Sequence, residues 1–309
     1  MKLIDLSSIT VIFLASCVLV LTGDRIIPAP QVVTEVVANT LNNNRKLSDI
    51  PELNKNIDSF PVFSANAVYA WDENSASPLY EKNADLRVLP ASTTKIMTAL
   101  VSLEEYDLEK IVEVPVFRVE GQKINFAKAE KLTVRDLLDC TLMYSANDAA
   151  ETLARIHPKG RDGFVQLMNK KAKELSLNNT NFVNPTGLDN YNQFSTPRDL
   201  VILSSYAMKN EVFSNIVGTK TKTVKSVDGK YVHEIKNINE LLGKVDGVIG
   251  VKTGWTEEAR ENLVSMVYRN GRRVGIALLG SQDRFGETKE LIDWIYKSYS
   301  WNKVSTPIF

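Results

Sequence analysis

The sequence predicts an α/β (α+β) fold in which an antiparallel sheet is flanked by helices and interrupted by an inserted helical lobe. Strand-like alternation of apolar and polar residues begins after residue 64 and returns in the C-terminal third, whereas the middle of the chain has helical periodicity. Strands that are segregated from helices along the chain are typical of this class. We therefore expect one sheet whose two parts are distant in sequence.

The composition excludes several classes of protein. The chain has 309 residues with 37 Lys and Arg against 37 Asp and Glu, which is typical of a globular protein rather than a collagenous or disordered one. A net charge of zero gives no basis for a nucleic-acid partner, because duplex binding depends on a basic surface. Two cysteines are too few for a disulfide framework. Because the chain has only two histidines besides, we expect no zinc or other metal site, and we expect no other cofactor.

The first part of the chain indicates export. Residues 6–23 contain no charged side chain and follow Lys2, which is typical of a signal peptide or an N-terminal membrane anchor. Cys17 ends a stretch that is similar to a bacterial lipobox. The sequence therefore leaves open whether the N-terminal segment is cleaved, is retained as an anchor or is lipidated at Cys17. The next stretch is rich in Pro and Asn, as in a linker. We therefore predict a signal peptide or anchor at 1–23 and a linker at 24–61. A globular domain at 62–300 and a short tail at 301–309 follow.

The predicted elements follow in order from residue 64. Two strands, 65–71 and 79–81, precede a helix that is entered through Ala91-Ser92-Thr93. Thr133 and Asp136 have the spacing of a capping box at the start of the next helix. Further helical patterns cover 149–156, 163–175 and 198–209. Two strands are predicted at 262–268 and 273–279, on either side of the turn signal Asn270-Gly271. A helix at 286–299 is predicted to close the domain.

Three short motifs that can carry chemistry occur in a fixed order along the chain. They are Ser92-Thr93-Thr94-Lys95, Ser145-Ala146-Asn147 and Lys252-Thr253-Gly254. The first two patterns also occur by chance, at 300–303 and 64–66, whereas K-T-G occurs once. The ordered set, rather than any single motif, is therefore informative.

The first motif can supply a nucleophile and its base. Ser92 is predicted at a helix start, and Lys95 lies one turn later on the same face, within reach of the hydroxyl. A lysine accepts a proton near neutral pH only if burial or a neighbouring cation, here Lys252, lowers its pKa from about 10.4. The alternative is a solvated pair on a helix surface. Neither His157, next to a proline, nor His233, in a strand-like run, suits a Ser-His-Asp triad.

The other two motifs can form the walls of a cleft. Ser145 and Asn147 lie between two predicted helices, where Asn147 can hydrogen-bond a peptide group and Ser145 can relay a proton. The alternative for this triplet is an N-cap of the following helix. Lys252 continues a predicted strand, and Gly254 at its edge would admit the backbone of an extended ligand.

With these motifs the sequence resembles the serine D-Ala-D-Ala carboxypeptidases among the low-molecular-mass penicillin-binding proteins. The likeness covers about 62–300 and also includes Pro90-Ala91, Asp148-Ala149-Ala150, 184–189, Ser195-Thr196 and Asp199-Leu200. It implies the penicillin-binding/β-lactamase-like transpeptidase fold. It also implies removal of the terminal D-Ala of peptidoglycan stem peptides through an acyl-enzyme, with β-lactams as inhibitors.

The resemblance assigns expected roles to individual residues. Ser92 would be the nucleophile and Lys95 its base. Ser145 and Asn147 would form the second wall of the cleft. The terminal carboxylate of the substrate would be held by Lys252, Thr253 and Arg284. The oxyanion hole would be formed by the backbone N–H groups of Ser92 and Trp255, beside Gly254. Arg260 and Ala146 stand where the family often has glycine, and neither change removes a reacting atom.

The resemblance also implies a location. Because the chain stops at Phe309, we expect it to lack the β-rich C-terminal domain of many relatives. Any membrane attachment would then come from the N-terminal segment. The expected enzyme is anchored or secreted and acts outside the cytoplasmic membrane of a bacterium, in the periplasm or cell wall.

Three rival functions stay open at this point. A D,D-endopeptidase would cut cross-links with the same residues. A class A-like β-lactamase shares S-x-x-K and K-T-G and adds a glutamate, for which Glu174 in an E-x-x-L-N sequence is the candidate on a lysine-rich helix. The third rival is a catalytically silent module that binds cell-wall peptides.

Overall fold

The structure is a computed structural model that describes residues 50–55, 57 and 59–302. The predicted signal peptide or anchor, Cys17 and most of the predicted linker lie outside the described residues, as do 303–309 of the predicted tail. Within the described range, no helix is both long and apolar enough to cross a membrane.

Strands and helices alternate in blocks along the described chain. In chain order the strands are β1 (Ile50–Leu53), β2 (Ala67–Asp72), β3 (Ser77–Lys82), β4 (Ile111–Glu113), β5 (Lys131–Thr133), β6 (Thr221–Lys225), β7 (Val232–Lys236), β8 (Val248–Thr256), β9 (Arg260–Arg269), β10 (Arg272–Ser281) and β11 (Tyr299–Asn302). The α-helices are α1 (Lys95–Glu105), α2 (Val134–Met143), α3 (Asn147–Arg155), α4 (Gly160–Glu174), α5 (Pro197–Ala207), α6 (Glu211–Gly218) and α7 (Arg284–Ser298).

A five-stranded antiparallel sheet carries the fold, with the strand order β3-β2-β10-β9-β8. The N-terminal strand β2 pairs with the C-terminal strand β10, so that Trp71 lies opposite Gly275. This confirms the prediction of one sheet built from two sequence-distant parts. Strand β8, which contains the K-T-G motif, is an edge strand because it pairs only with β9 in this sheet.

Helices cover both faces of the sheet, and the side chains of β10 show why. Val274, Ile276 and Leu278 belong to the apolar cluster that includes α7, whereas Ala277 and Leu279 belong to the cluster of the inserted helices. Alternate residues of a strand point to opposite faces, so one strand can contribute to two cores. The inserted lobe from α1 to α6 therefore packs on one face and α7 on the other.

Local signals explain where several elements begin. The capping box predicted from Thr133 and Asp136 is present at the start of α2, with each side chain accepting from the backbone N–H of the other residue. The turn signal Asn270-Gly271 joins β9 to β10, and both residues have positive φ angles, as such a turn requires.

Some elements were not predicted. Strands β4 and β5 have three residues each, and α6 has eight, so their patterns were too short to recognise. Ile50–Leu53, inside the predicted linker, pairs with Tyr299–Asn302 as β1 and β11. The domain limits themselves stay a prediction.

Candidate active site

A 3₁₀ turn brings Ser92 and Lys95 together at the start of α1. The turn spans Ala91–Thr94, and α1 begins at Lys95, whereas the sequence predicted an α-helix from Ala91 onward. Side chains three residues apart are eclipsed in a 3₁₀ turn, which favours this contact. Lys95 Nζ accordingly lies 2.9 Å from Ser92 Oγ. The alternative of a solvated surface pair is wrong, because Lys95 is 0% exposed.

The amine of Lys95 meets three oxygen acceptors. Besides Ser92 Oγ, Nζ lies 2.6 Å from Asn147 Oδ1 and 2.6 Å from the carbonyl oxygen of Thr186. An ammonium would donate to all three oxygens. A neutral amine has two N–H donors for Asn147 and Thr186, which leaves its lone pair for the Ser92 hydroxyl. The amine of Lys95 can therefore lose a proton and still be held in place by Asn147 and Thr186, as a base for the Ser92 hydroxyl requires.

Burial makes that neutral form accessible. It lowers the pKa of Lys95 to about 7, although the negative charges of Asp148 and Glu151 partly oppose the shift. Burial also holds the pKa of Lys252 well below its usual value, assisted by the positive charges of Lys95 and Arg284. Of the two causes that the sequence left open, burial and the Lys252 cation, burial is the main one.

Ser145 and Asn147 form the second wall from the residues that join α2 to α3. Ser145 has a φ of 67°, a left-handed conformation that is costly for a residue other than glycine. Lys252 Nζ donates to Ser145 Oγ at 2.9 Å, which links this wall to β8. The N-cap of α3 is Ala146, without a side-chain cap, so the reading of this triplet as a capping device is wrong.

The edge of β8 offers polar atoms that lack partners. Thr253 Oγ1 and Arg284 Nε are buried and make no hydrogen bond to any described residue. Leaving such a group unpaired costs about 1–3 kcal/mol, so these atoms favour a ligand at this edge. Arg284, at the N-terminal end of α7, also donates from Nη1 to Gly254 O at 2.9 Å. Trp255 is 62% exposed at the rim beside them.

Two glycines lie against the Ser92 turn. A Cβ on Gly187, whose φ is +89°, would lie 1.8 Å from Ala91 O, and a Cβ on Gly254 would lie 3.1 Å from Ser92 N. We expected Gly254 to make room for a ligand backbone, and it makes room for the Ser92 turn of the protein itself. A Cβ at position 187 would collide with Ala91, and one at position 254 would crowd the backbone at Ser92, so both glycines allow a backbone segment to lie close to Ser92.

The loop before Gly187 contributes to the site in a way that motif analysis missed. Asn184 Oδ1 accepts the backbone N–H groups of Thr186 and Gly187, at 3.1 and 2.7 Å. These bonds orient the loop so that Thr186 O faces Lys95. The sequence carried a signal in Asn184-Pro185-Thr186-Gly187, because Asn, Pro and Gly favour turns.

The residues considered for other chemistry lie elsewhere. His157 Nε2 is 3.7 Å from Glu105, and His233 Nε2 is 2.6 Å from Glu130. Glu174, the β-lactamase candidate, ends α4, where its side chain is 45% exposed. It pairs with Lys171 at 2.9 Å and Lys170 at 3.6 Å. A solvated carboxylate in two ion pairs does not suit the activation of a buried water, which argues against the lactamase interpretation.

The departures from the resembled family have a conformational explanation. Arg260 has a φ of +59°, in the region that favours glycine, which accounts for glycine being frequent at that position. Ala146 has an ordinary φ of −63°, so alanine fits there without strain.

These features together define a class of enzyme. A serine beside a buried lysine, a second serine–lysine pair and a cationic strand edge are what acyl transfer to serine from a substrate with a terminal carboxylate requires. A sequence model of the D-alanyl-D-alanine carboxypeptidase family matches residues 54–283. The chain belongs to this family of serine hydrolases.

Individual relatives agree with this membership. The chain is 32% identical to the D-alanyl-D-alanine carboxypeptidase DacF of Bacillus subtilis over 76% of its own length and 63% of that relative's length. It is 34% identical to a D-alanyl-D-alanine endopeptidase of Pseudomonas aeruginosa, covering 75% of this chain and 77% of that one. The crystal structure of the Streptomyces K15 DD-transpeptidase has a TM-score of 0.74 at 34% identity, with 77% and 99% covered. The fold is therefore that of the penicillin-binding transpeptidases.

The contact between Gly187 and the Ser92 turn gives the first prediction. In Gly187→Ala the added Cβ would displace Ala91 and with it Ser92. We expect labelling by a fluorescent penicillin to slow by about tenfold or more, because small misplacements of reacting groups cost about 10²-fold in rate. The matched control is Gly229→Ala, since Gly229 also has a positive φ of +70° but nothing lies within 4 Å of its Cβ position. Equal labelling rates in the two variants would contradict this role of Gly187.

Proposed function

We propose that this protein is a serine-type D-alanyl-D-alanine carboxypeptidase that removes the terminal D-Ala of peptidoglycan stem peptides. The observation that carries the proposal is the 2.9 Å contact between Ser92 Oγ and the fully buried amine of Lys95. Family membership supplies the reaction class, and the buried pair supplies a nucleophile and base that work near neutral pH.

Acylation follows from the positions of these groups. Lys95, as a neutral amine, takes the hydroxyl proton of Ser92 while Oγ attacks the carbonyl carbon of the penultimate D-Ala. The backbone N–H groups of Ser92 and Trp255 stabilise the oxyanion. Ser145 Oγ, 2.9 Å from Lys252 Nζ, gives a proton to the leaving nitrogen and regains one from that lysine. The C–N bond breaks, D-Ala leaves, and an ester remains on Ser92.

Deacylation uses the same base, once the proton that Lys95 took from Ser92 has passed through solvent to Lys252, which gave one up to Ser145. Water attacks the ester carbonyl and gives a proton to Lys95, and Lys95 passes it to Ser92 Oγ as the C–O bond breaks. The peptide leaves with a new terminal carboxylate, and the serine is restored. The carboxylates nearest to Lys95 are already committed to other partners. Asp148 accepts backbone N–H groups from Ile124 and Asn125, and Glu151 is bound by Arg161. A penicilloyl ester keeps its leaving group attached, and this group fills the space through which water would reach Lys95. Because neither carboxylate is free to activate a water elsewhere, the ester persists, and β-lactams act as inhibitors rather than substrates.

Recognition of the substrate's C-terminus is assigned to the edge of β8. The unpaired Thr253 Oγ1 and Arg284 Nε are donors that a terminal carboxylate would satisfy, and the guanidinium of Arg284 adds positive charge. Charge-assisted hydrogen bonds of this kind are about twice as strong as neutral ones. A site for a free carboxylate fits a substrate whose last residue follows the scissile bond, as in the removal of a terminal D-Ala. Asn147 contributes its remaining N–H to the substrate backbone.

The proposed enzyme acts outside the cytoplasmic membrane of a bacterium, where peptidoglycan is exposed. Residues 6–23, which carry no charge, support export, and attachment through residues 1–23 is part of this proposal. A silent peptide-binding module is disfavoured, since such a module would have no need of a buried amine beside a serine hydroxyl.

The nucleophile is tested by mass. Incubation with a penicillin should add the whole mass of the drug to the wild-type chain and nothing to Ser92→Ala, because the ester forms on Oγ. Ser300→Ala is a matched control, since Ser300 and Lys303 have the same spacing as the first motif by chance. An adduct of full mass on Ser92→Ala would contradict the assignment. Lys95→Arg should also fail to acylate, because a guanidinium stays protonated.

The pH dependence tests the base. Since the pKa of Lys95 is about 7 and the neutral amine is the active form, the rate of acylation by penicillin should rise with pH and level off above pH 7. Well below this pKa it should fall about tenfold per pH unit. Stopped-flow measurement of the second-order rate constant gives the profile. A rate that is flat between about pH 5 and pH 9 would exclude Lys95 as the titrating base.

The carboxylate site is tested with an amidated substrate. Converting the terminal carboxylate of a D-Ala-D-Ala peptide to an amide should lower kcat/KM of the wild type by about tenfold or more. The same change should cost Arg284→Ala less than about threefold, because that variant has already lost the contact. Release of the terminal residue can be followed by chromatography. Equal losses in the two enzymes would remove Arg284 from the site.

A further inference from the structure

A charged cavity of about 670 Å³ lies beside the wall formed by Asn147. Its lining includes Arg118, Lys123, Arg155, Arg161, Glu120 and Glu151. Nothing in the acylation chemistry requires this space, because the reacting groups are Ser92, Lys95 and Ser145. The cavity therefore calls for a separate explanation.

Helix α3 connects Asn147 to the lining of the cavity. Asn147 is the first residue of this helix, and its Nδ2 donates to Glu120 O at 2.7 Å. Glu151 and Arg155 follow on the same face of the helix, four and eight residues after Asn147. At about 1.5 Å of rise per residue, they lie roughly 6 and 12 Å along the helix from Asn147. The cavity thus extends away from the nucleophile on the side of Asn147.

The charge in the cavity is predominantly positive and partly unpaired. Glu151 is held by Arg161 at 3.0 Å and by Arg155 at 3.3 Å, so its charge is already compensated. Arg118 and Lys123 are exposed, and neither forms an ion pair with any residue in the described part of the chain. Glu120 is the remaining carboxylate of the lining. The ammonium of Lys123 donates to Val119 O at 3.3 Å, which leaves its charge uncompensated. An incoming anion would therefore meet two cations that have no ion-pair partner in the described part of the chain.

The direction of the substrate connects this cavity to the peptide. If the terminal carboxylate lies at Thr253 and Arg284, the chain N-terminal to the scissile bond passes Ser92 and leaves beside Asn147. An extended peptide spans about 3.3–3.6 Å per residue, so a distance of roughly 6–12 Å corresponds to about two to four residues. An acidic residue at those positions would bring a carboxylate to the cavity, and conversion to a carboxamide would remove its charge.

We propose that this cavity is a subsite for a free carboxylate upstream of the scissile D-Ala-D-Ala bond, and that Arg118 and Lys123 determine this specificity. The inference rests on the proposed function, since it assumes that stem peptides are the substrates. It makes the enzyme selective for stem peptides whose acidic residues are not amidated.

The test compares matched peptides that end in D-Ala-D-Ala. Two pairs are used, with a carboxylate or a carboxamide on the second stem residue, and with a carboxylate or a carboxamide on the side chain of the third. For at least one pair, the wild type should have a kcat/KM about tenfold higher for the carboxylate. In Arg118→Gln/Lys123→Gln this ratio should fall below about twofold. Because each ratio is taken within one enzyme preparation, partial misfolding of a variant does not alter it.

The control removes two positive charges outside the cavity. Lys128→Gln/Lys131→Gln has the same change in net charge, and these exposed lysines are not part of the lining, so it should keep the wild-type ratio. A wild type that cleaves both members of each pair equally would overturn the subsite, and so would a ratio that survives in Arg118→Gln/Lys123→Gln. In either case release of D-Ala would still support the proposed function. No release from any peptide would contradict the proposed function as well.

Discussion

The burial of one amine is the constraint on which this structure depends. Lys95 is 0% exposed, and hydrophobic side chains could occupy its position at lower cost, because removing an ammonium from water is expensive. The cost is limited by a low pKa and by three oxygen acceptors, which come from the Ser92 turn, from Asn147 and from Thr186. Three separate segments of the chain must therefore meet at Nζ for the protein to fold with this residue inside. The same desolvation that costs stability produces the base.

The architecture explains how these segments meet. Strand β8 comes from the C-terminal part of the chain and Ser92 from the N-terminal part, and the central sheet joins the two. Gly254 on β8 and Gly187 on the loop after Asn184 allow both segments to lie close to the backbone of the Ser92 turn. The inserted lobe supplies Asn147 on α3, and the face of α3 continues into the charged cavity. Catalysis and the proposed recognition of the upstream peptide thus share one helix.

The sequence predicted the elements with long or distinctive patterns and the residues with reactive side chains. The capping box at Thr133, the turn at Asn270-Gly271 and the ordered motifs could all be recognised because each depends on side-chain identity. The carbonyl of Thr186 could not be predicted, since every residue has a carbonyl and only the fold decides which one faces Lys95. The function of Gly254 was misjudged for the same reason. Its close neighbour is a segment more than 160 residues away in sequence.

The central claim is that Lys95 is a base because burial lowers its pKa, and this pKa can be measured directly. In protein labelled with ¹³C and ¹⁵N at lysine, the Cε and Nζ resonances of Lys95 can be assigned from their loss in Lys95→Arg. Their titration should have a midpoint near the pKa of about 7, whereas an exposed lysine titrates at about 10.4. A midpoint for Lys95 close to that of an exposed lysine would contradict the account, because the amine would then be protonated throughout the range in which Ser92 must react.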